Sequence, residues 1–536
     1  MPHHRTHASF SLPVLNNARG PGAPEPSDRE KEGPSDREKK EKCAVFGIWT
    51  GPYAQLSCVH STYTALYAQQ HRGQESAGIA TTDGGGGPAG GVGITGHTGM
   101  GLVPEVFTPR VLDALTAGNP VAAIGHNRYS TTGASMSTNA QPLVQTTARG
   151  RVAVAHNGNL VNASALRHAF GEKGHIFHTS SDTEVIIHLL AAPQQQQAPD
   201  PLAATLRRLQ GAYSLVILFE DRIEAARDPW GWRPLVLGEM ADGSPVVASE
   251  TVALDVLGAK LVREVEPGEI VTLDSDGVRS RRFAPEAQPT AMCVFEHVYF
   301  ASPASNVFGQ NVQAFREDLG SALWGEDPLM RANPADYVMP MPDSGRSAAN
   351  GYSRASGIPY REAIVPNRYV GRTFIKPTQH ERETAVRLKL NVIADLVRGK
   401  RVIVVDDSVV RGTTTRLKMR QIYDAGAAEV HLRISCPPIR HPCFFGVDFA
   451  HRDQLIANGR TVEDIRAYLG VDSLHFLSLE GMLACAKHGP ERYCTACWSG
   501  AYRIDVEHPT TGTFVEPQQE RMFDMAPAPG ANGLGT

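Results

Sequence analysis

The stretch Val402–Thr415 reads V-I-V-V-D-D-S-V-V-R-G-T-T-T. Val402 to Val405 are a short β-branched run, the pattern of a strand buried on both faces of a parallel sheet. The run stops at Asp406 and Asp407, which places two carboxylates at the strand's carboxyl end. A loop with Arg411, Gly412 and three threonines follows, and a helical pattern runs from about Arg416 to Asp424. Open α/β sheets bind ligands outside the carboxyl ends of their strands. Backbone N–H groups at a helix start, threonine hydroxyls and a small glycine suit a phosphate. Adjacent carboxylates suit a ribose diol or a hard cation such as Mg²⁺. Taken alone, D-D-S is equally the acidic end of a strand leading into a capped helix; the attached R-G-T-T-T favours the phosphate reading.

These residues resemble the 5-phosphoribosyl-1-pyrophosphate (PRPP) motif of the type I phosphoribosyltransferases. The resemblance implies Asp406 and Asp407 on the ribose hydroxyls and Mg²⁺, Ser408 beside them, and Arg411, Gly412, Thr413 and Thr414 around the 5-phosphate. Upstream, Tyr337–Met341 reads as another strand, ending in Pro342-Asp343-Ser344-Gly345-Arg346. In the related enzymes this loop meets the pyrophosphate, which makes Ser344 a third contact to Mg²⁺. Between Pro366 and Arg401 lie nine Lys/Arg against three Asp/Glu, the composition of a lid that neutralises a leaving pyrophosphate.

The chain has 536 residues, 41% of them hydrophobic and 20% charged, with a net charge of −4. That is the profile of an ordinary folded, soluble protein, with no global reason to bind nucleic acid. No apolar run approaches the roughly 18 residues of a membrane span, and Phe10–Leu15 is too short and broken for a signal h-region. Eight cysteines in a chain of this length read as reduced thiols, ligands or nucleophiles of a cytoplasmic protein.

Residues 1–42 are rich in Pro, Gly and charge, with P-S-D-R-E-K at Pro26–Lys31 and again at Pro34–Lys39; too little apolar surface is present to offset the entropy of ordering them. The composition changes at Cys43-Ala-Val-Phe-Gly-Ile-Trp, where a β-rich pattern begins. A cysteine at the first position of a mature chain carries a thiol and an α-amine whose pKa of about 7.7–8.0 suits a general base. Cys43 works this way only if residues 1–42 are removed, and the ordinary reading of a lone cysteine here is a core residue. Downstream come Q-H-R-G at Gln70–Gly73, Gly125-His126-Asn127-Arg128-Tyr129 after the apolar run Val121–Ile124, Ala155-His156-Asn157-Gly158-Asn159-Leu160, and Thr179-Ser180-Ser181-Asp182-Thr183-Glu184 before a helical Val185–Leu190. Singly these are turns and caps.

As an ordered set after Cys43 they resemble the glutaminase domain of the N-terminal-nucleophile amidotransferases. The resemblance implies Cys43 as nucleophile, Asn157 and Gly158 as oxyanion hole, Arg128 on the α-carboxylate of glutamine and Asp182 on its α-amino group. A developing oxyanion needs fixed donors, and an Asn amide with a Gly N–H that no Cβ obstructs is a sound pair. Thr81–Gly93 reads as a hairpin tip, Gln194–Pro199 as a loop between helices, and V-E-P-G-E-I at Val265–Ile270 as a hairpin. The end of this half is placed at Val278–Pro289.

Cys494-Thr495-Ala496-Cys497 is a C-x-x-C that fits a redox pair, half a zinc site or part of an iron–sulfur site. Cys293, Cys436, Cys443 and Cys485 are available as partners, with Cys436 in the strand-like L-R-I-S-C better read as core.

Together the two halves, from Cys43 to about Tyr502, resemble the amidophosphoribosyltransferase family. The expected fold is an α+β N-terminal-nucleophile glutaminase domain with αββα layers (43–280), then an α/β type I phosphoribosyltransferase domain with a mainly parallel sheet (290–502). Residues 1–42 are expected to be a removed propeptide and 503–536 a largely disordered tail. The resemblance implies glutamine and PRPP as substrates, one Mg²⁺ per subunit, and one [4Fe–4S] cluster on Cys293, Cys443, Cys494 and Cys497, as in the cluster-bearing branch of the family. It also implies feedback inhibition by purine nucleotides and a homo-oligomer, with neither nucleic acid nor membrane as partner. The family usually has lysine before N-R-Y, where this chain has Pro366. Other amidotransferases sharing the first half, such as glucosamine-6-phosphate synthase or asparagine synthetase, lack the PRPP motif. A PRPP- or nucleotide-binding regulatory protein without catalysis is the alternative from another class.

Overall fold

Residues 43–50, 54, 56–84, 93–129, 136–284, 289–367, 390–447 and 451–506 are described by a computed structural model. The expectations for 1–42, the hairpin tip within 85–92, most of the basic lid (368–389) and the tail beyond 506 lie outside the described residues.

The run that starts at Cys43 becomes the strand Ala44–Trp49, buried along its whole length. A strand covered on both faces has no polar face to display, which is why its sequence does not alternate. It lies inside a seven-stranded antiparallel sheet ordered Lys260–Glu264, Val236–Glu239, Pro245–Ala248, Ala44–Trp49, Ala122–Arg128, Ser76–Thr82 and Ile94–Met100. A second antiparallel sheet runs Gly277–Arg282, Glu269–Asp274, Ile223–Arg227, Gly211–Leu218, Gly150–Leu160 and Leu143–Thr147. Val45 and Ile124 of the first meet Ala155, Val216 and Val271 of the second in one core. Helices Cys58–Ala68 and Thr251–Leu257 cover the outer face of the first sheet. Helices Ala163–Gly171, Thr183–Ala191 and Pro201–Leu206 cover that of the second. The result is the expected αββα layering.

Three local expectations change. H-N-G-N is no turn: it lies within the strand Gly150–Leu160. V-E-P-G-E-I is no hairpin either, because Lys260–Glu264 belongs to the first sheet and Glu269–Asp274 to the second, so the segment crosses between layers. Gln194–Pro199 holds the end of a short helix, Pro193–Gln196. The edge strand Gly277–Arg282 also carries the first half two residues past 280.

In the second half, Tyr337–Pro340, Arg401–Asp406, Glu429–Ile434 and Ser473–Phe476 form a four-stranded sheet, parallel throughout. Val402–Val405 are fully buried at its centre. The following helix begins earlier than its apolar pattern, at Thr413, and ends at Asp424. Pro366 ends the strand Ile364–Pro366, pairing with Leu390 of Leu390–Val392 at the base of the expected lid. The two ends of this half meet, Met292–Cys293 pairing in parallel with Tyr493–Cys494.

Candidate active site

The register that sets Ala44 opposite Asn127 brings Cys43 to the end of the strand carrying Arg128. Cys43 is buried; its Sγ donates to the Tyr129 carbonyl at 3.7 Å, and its own carbonyl accepts from Arg72 Nε at 2.8 Å. Arg72 is completely buried, so its charge needs partners. It has two: Nη1 reaches Glu250 Oε1 at 2.5 Å, and Nη1 and Nη2 hold both oxygens of Glu296 at 2.9 Å. Glu296 also accepts from Arg233 Nη1 at 2.8 Å. Burial alone would raise the Glu296 carboxyl, but the Arg72 and Arg233 guanidiniums bring it below the usual range. Burial likewise opposes ionisation of Glu250, and His71 and Arg72 reverse it. Sequence reasoning assigned none of these four residues a role, although Arg72 lay within a quoted motif. Glu296 is 224 positions from Arg72, beyond any local pattern.

Across the sandwich, His126 Nε2 donates to the His156 carbonyl at 3.0 Å, tying the Arg128 strand to the strand of H-N-G-N. The next side chain, Asn157, has a buried Nδ2 with no hydrogen-bond partner. Gly158 has φ +154°, and a Cβ there would lie 1.9 Å from the Ala212 carbonyl oxygen. Only glycine fits, which keeps the backbone at this point bare. Asp182 precedes the helix Thr183–Ala191; its Oδ2 accepts from the Leu160 N–H at 2.9 Å and lies 3.6 Å from His156 Nδ1. Burial pushes the Asp182 carboxyl up, yet His156 and these N–H donors bring it below its ordinary value. Arg128 Nη1 contacts Glu75 Oε1 at 3.0 Å. An unpaired amide donor, a glycine backbone and a buried carboxylate thus gather around His156, and a buried guanidinium lies at the strand end that meets the Cys43 thiol.

At the second site, Asp406 and Asp407 are buried at the carboxyl end of the central strand. Ser344 Oγ donates to Asp406 Oδ1 at 3.4 Å, so the two loops meet as expected. Asp406 Oδ1 also accepts from the Asp407 N–H at 2.9 Å, and Ser408 Oγ donates to Asp407 Oδ2. Arg411 reaches Gln454 Oε1 through Nη2 at 2.7 Å, and Gly412 caps the helix whose first residues are Thr413 and Thr414. Arg316, buried among the His297 and Ala301 carbonyls, is depressed to about 10 by burial, with Asp407 opposing the shift. The donors here are hard oxygens, two carboxylates and a hydroxyl, the set with which Mg²⁺ is held alongside substrate phosphates.

The four expected cluster cysteines converge. Cys293 lies opposite Cys494, the Arg440 and His441 N–H groups bind the Cys497 carbonyl at 3.0 Å, and Cys443 Sγ accepts from the Phe445 N–H at 3.4 Å. Burial raises the Cys497 thiol, and Cys443, Cys293 and Cys494 beside it raise it further. Cys494 is pushed up to about 11, chiefly by burial, and Arg233 opposes the rise at Cys293 and Cys443. Cys436 is core, as expected. Among the described residues no group of three or more His, Cys, Asp or Glu is disposed to hold a metal ion. Four neighbouring thiols with the Arg233 cation facing them are a donor set suited to a soft, thiolate-bound metal centre.

No helix among the described residues is long and apolar enough to cross a membrane. Residues 126–256 match a family model described as a glutamine amidotransferase domain. The chain is 47% identical over 475 residues to an amidophosphoribosyltransferase of Methanothermobacter thermautotrophicus, covering 87% of this chain and 95% of the relative. It is 44% identical over 489 residues to the chloroplastic amidophosphoribosyltransferase 1 of Arabidopsis thaliana, covering 90% and 83%. A solved Bacillus subtilis structure, glutamine PRPP amidotransferase complexed with ADP and GMP, superposes with a TM-score of 0.77 at 43% identity, covering 87% of this chain and 98% of that one.

Proposed function

Since this chain belongs to the amidophosphoribosyltransferase family, we propose that its two half-reactions are carried by Cys43 and by the Asp406–Thr414 loop. The reaction is that of the first committed step of purine synthesis: PRPP, glutamine and water give 5-phosphoribosylamine, glutamate and pyrophosphate. Family membership sets aside the non-catalytic alternative. Residues 43–280 are the glutaminase domain in this reading, and 290–502 the phosphoribosyltransferase domain.

Removal of residues 1–42 frees the α-amine of Cys43, which takes the thiol proton as Sγ attacks the glutamine side-chain amide. Asn157 Nδ2 and the Gly158 N–H hold the oxyanion, while Arg128 and Asp182 bind the substrate's α-carboxylate and α-amino groups. Collapse gives a glutamyl thioester and ammonia, and water then releases glutamate. Ammonia attacks C1 of PRPP, whose ribose and 5-phosphate are held by Asp406, Asp407, Ser408, Arg411, Gly412, Thr413 and Thr414. Shelter from water keeps ammonia from becoming the non-nucleophilic ammonium ion. Asp406, Asp407 and Ser344 would hold Mg²⁺, which supplies charge neutralisation at the leaving pyrophosphate. Cys293, Cys443, Cys494 and Cys497 would hold a [4Fe–4S] cluster, which supplies a cross-link between segments. Purine nucleotides as inhibitors and a homo-oligomeric state belong to the same reading.

The observation that carries the glutaminase assignment is the buried, unpartnered Asn157 Nδ2 beside a glycine that no other residue can replace. Desolvating a donor without a partner costs on the order of 1–3 kcal/mol, a cost that makes sense where charge develops on a substrate. The test is Cys43→Ala assayed with glutamine and, separately, with ammonium salt. Glutamine-dependent synthesis should vanish and ammonia-dependent synthesis persist; loss of both in a folded protein would sink the two-site scheme.

A further inference from the structure

Behind the proposed oxyanion glycine lies a segment of the other half of the chain. Phe444, Phe445 and Gly446 follow Cys443, and each is engaged by the first half. The Phe444 carbonyl accepts from Asn159 Nδ2 at 2.8 Å, one residue beyond Gly158. The Phe445 carbonyl accepts from Arg233 Nη2 at 2.7 Å, and its ring stacks on Trp232 with centroids 4.4 Å apart and planes 18° from parallel. Gly446, at φ +91°, sits so close that a Cβ would lie 3.2 Å from the Gly158 carbonyl carbon and 3.3 Å from its oxygen. Arg233 is no bystander, since its Nη1 holds Glu296, whose two oxygens grip Arg72, which in turn holds the Cys43 carbonyl.

We propose that the Phe444–Gly446 loop is a positioning element of the glutamine half-site, backing Gly158 directly and Cys43 through Arg233, Glu296 and Arg72. Its residues touch neither substrate nor the reacting atoms. They fix the peptide that presents one oxyanion donor, and through a fully buried chain of ion pairs they fix the main chain of the nucleophile. A displacement of a few tenths of an ångström at Gly158 is felt mainly when the carbonyl oxygen becomes an oxyanion, because that is when donor geometry counts most. The loop therefore acts on turnover rather than on ground-state binding. The glutaminase sheets do not complete their own site; a loop contributed from 285 positions farther along the chain than Asn159 does so.

This inference rests on Cys43 and Gly158 acting as proposed above, so the experiment separates the two. Gly446→Ala places a methyl group against Gly158 at a backbone angle that disfavours it; Asn159→Ala removes the bond to Phe444; Arg233→Lys keeps a charge on Glu296 but loses the fork that reaches Phe445. Each full-length variant is assayed for kcat and KM with glutamine, for synthesis with ammonium salt, and for Tm. The expected result is a fall of about tenfold in glutamine-dependent kcat, smaller than the 10²–10³ that follows outright removal of an oxyanion donor. KM for glutamine and the ammonia-dependent rate should stay within about twofold. Parallel loss of the two activities, or an unchanged kcat in all three variants, would overturn the proposal. Cys43→Ala run alongside addresses the underlying reading: if it retains glutamine-dependent synthesis, the nucleophile assignment fails whatever the loop variants do.

Discussion

Asn157 and Asp182 make opposite demands on their surroundings. The Asn157 amide is useful because nothing satisfies it, whereas the Asp182 carboxylate is useful because His156 and the Leu160 N–H keep it ionised. Asn157→Ala should lower glutamine-dependent kcat by about 10²–10³ with little change in KM, while ammonia-dependent synthesis holds, as steady-state assays with the two nitrogen sources would show. Asp182→Asn should instead raise KM for glutamine, and a rise confined to kcat would contradict its assignment to the substrate's amino group. Most of these residues were legible because each lies in a short motif whose order along the chain is diagnostic. Arg72, Arg233, Glu250 and Glu296 were not. Their roles come from pairing across long separations, and nothing in the residues around Glu296 says which guanidinium will reach it.

Strands and segments carry a second kind of consequence, through groups buried where elements cross. His126 lies in the inner strand Ala122–Arg128 and His297 in the segment Glu296–Phe300, and each has a buried Nδ1 without a partner. Burial depresses their pKa values to about 3 and about 4. Both fold neutral, while in the unfolded chain they take up a proton below about pH 6.5. Their contribution to stability is therefore complete above about 6.5 and is lost as pH falls towards the folded values, at up to about 1.4 kcal/mol per pH unit for each. Urea midpoints at about pH 7.5 and pH 5 should differ accordingly, and His126→Gln should flatten the difference; an unaltered slope in that variant would exclude His126 as a source. Element types were read well from apolar runs, and the parallel sheet followed from Val402–Val405. The errors arose where one local pattern serves two purposes. V-E-P-G-E-I has the chemistry of a tight turn, but the partner strand that decides between hairpin and layer crossing is remote. H-N-G-N has turn residues, yet the Ala212 carbonyl pressed against Gly158 shows them embedded in a sheet.

At the scale of the whole chain, both ends of the second half are drawn to one place by the pairing of Met292–Cys293 with Tyr493–Cys494. If the four neighbouring thiols carry a cluster, its loss releases a loop of about 200 residues, worth several kcal/mol by analogy with a disulfide of that span. Cys494→Ser should accordingly yield little soluble protein, whereas Cys436→Ser should retain iron and its broad absorbance. Active protein containing zinc, or no metal, would remove the cluster from the reading. N-terminal sequencing of active enzyme should begin at Cys43, and full activity with residues 1–42 still attached would refute the amine-base role. The same pairing sets an order of events during biosynthesis. Cys293 leaves the ribosome about 200 residues before its partner, which at 5–20 residues per second is some ten to forty seconds. Throughout that interval the edge that Tyr493–Cys494 will occupy is open, and for about the first three-quarters of it the loop that backs Gly158 has not yet been made. The glutaminase sheets can therefore be assembled well before they can be competent. A nascent chain that stalls in between presents thiols to the cell before it presents an enzyme.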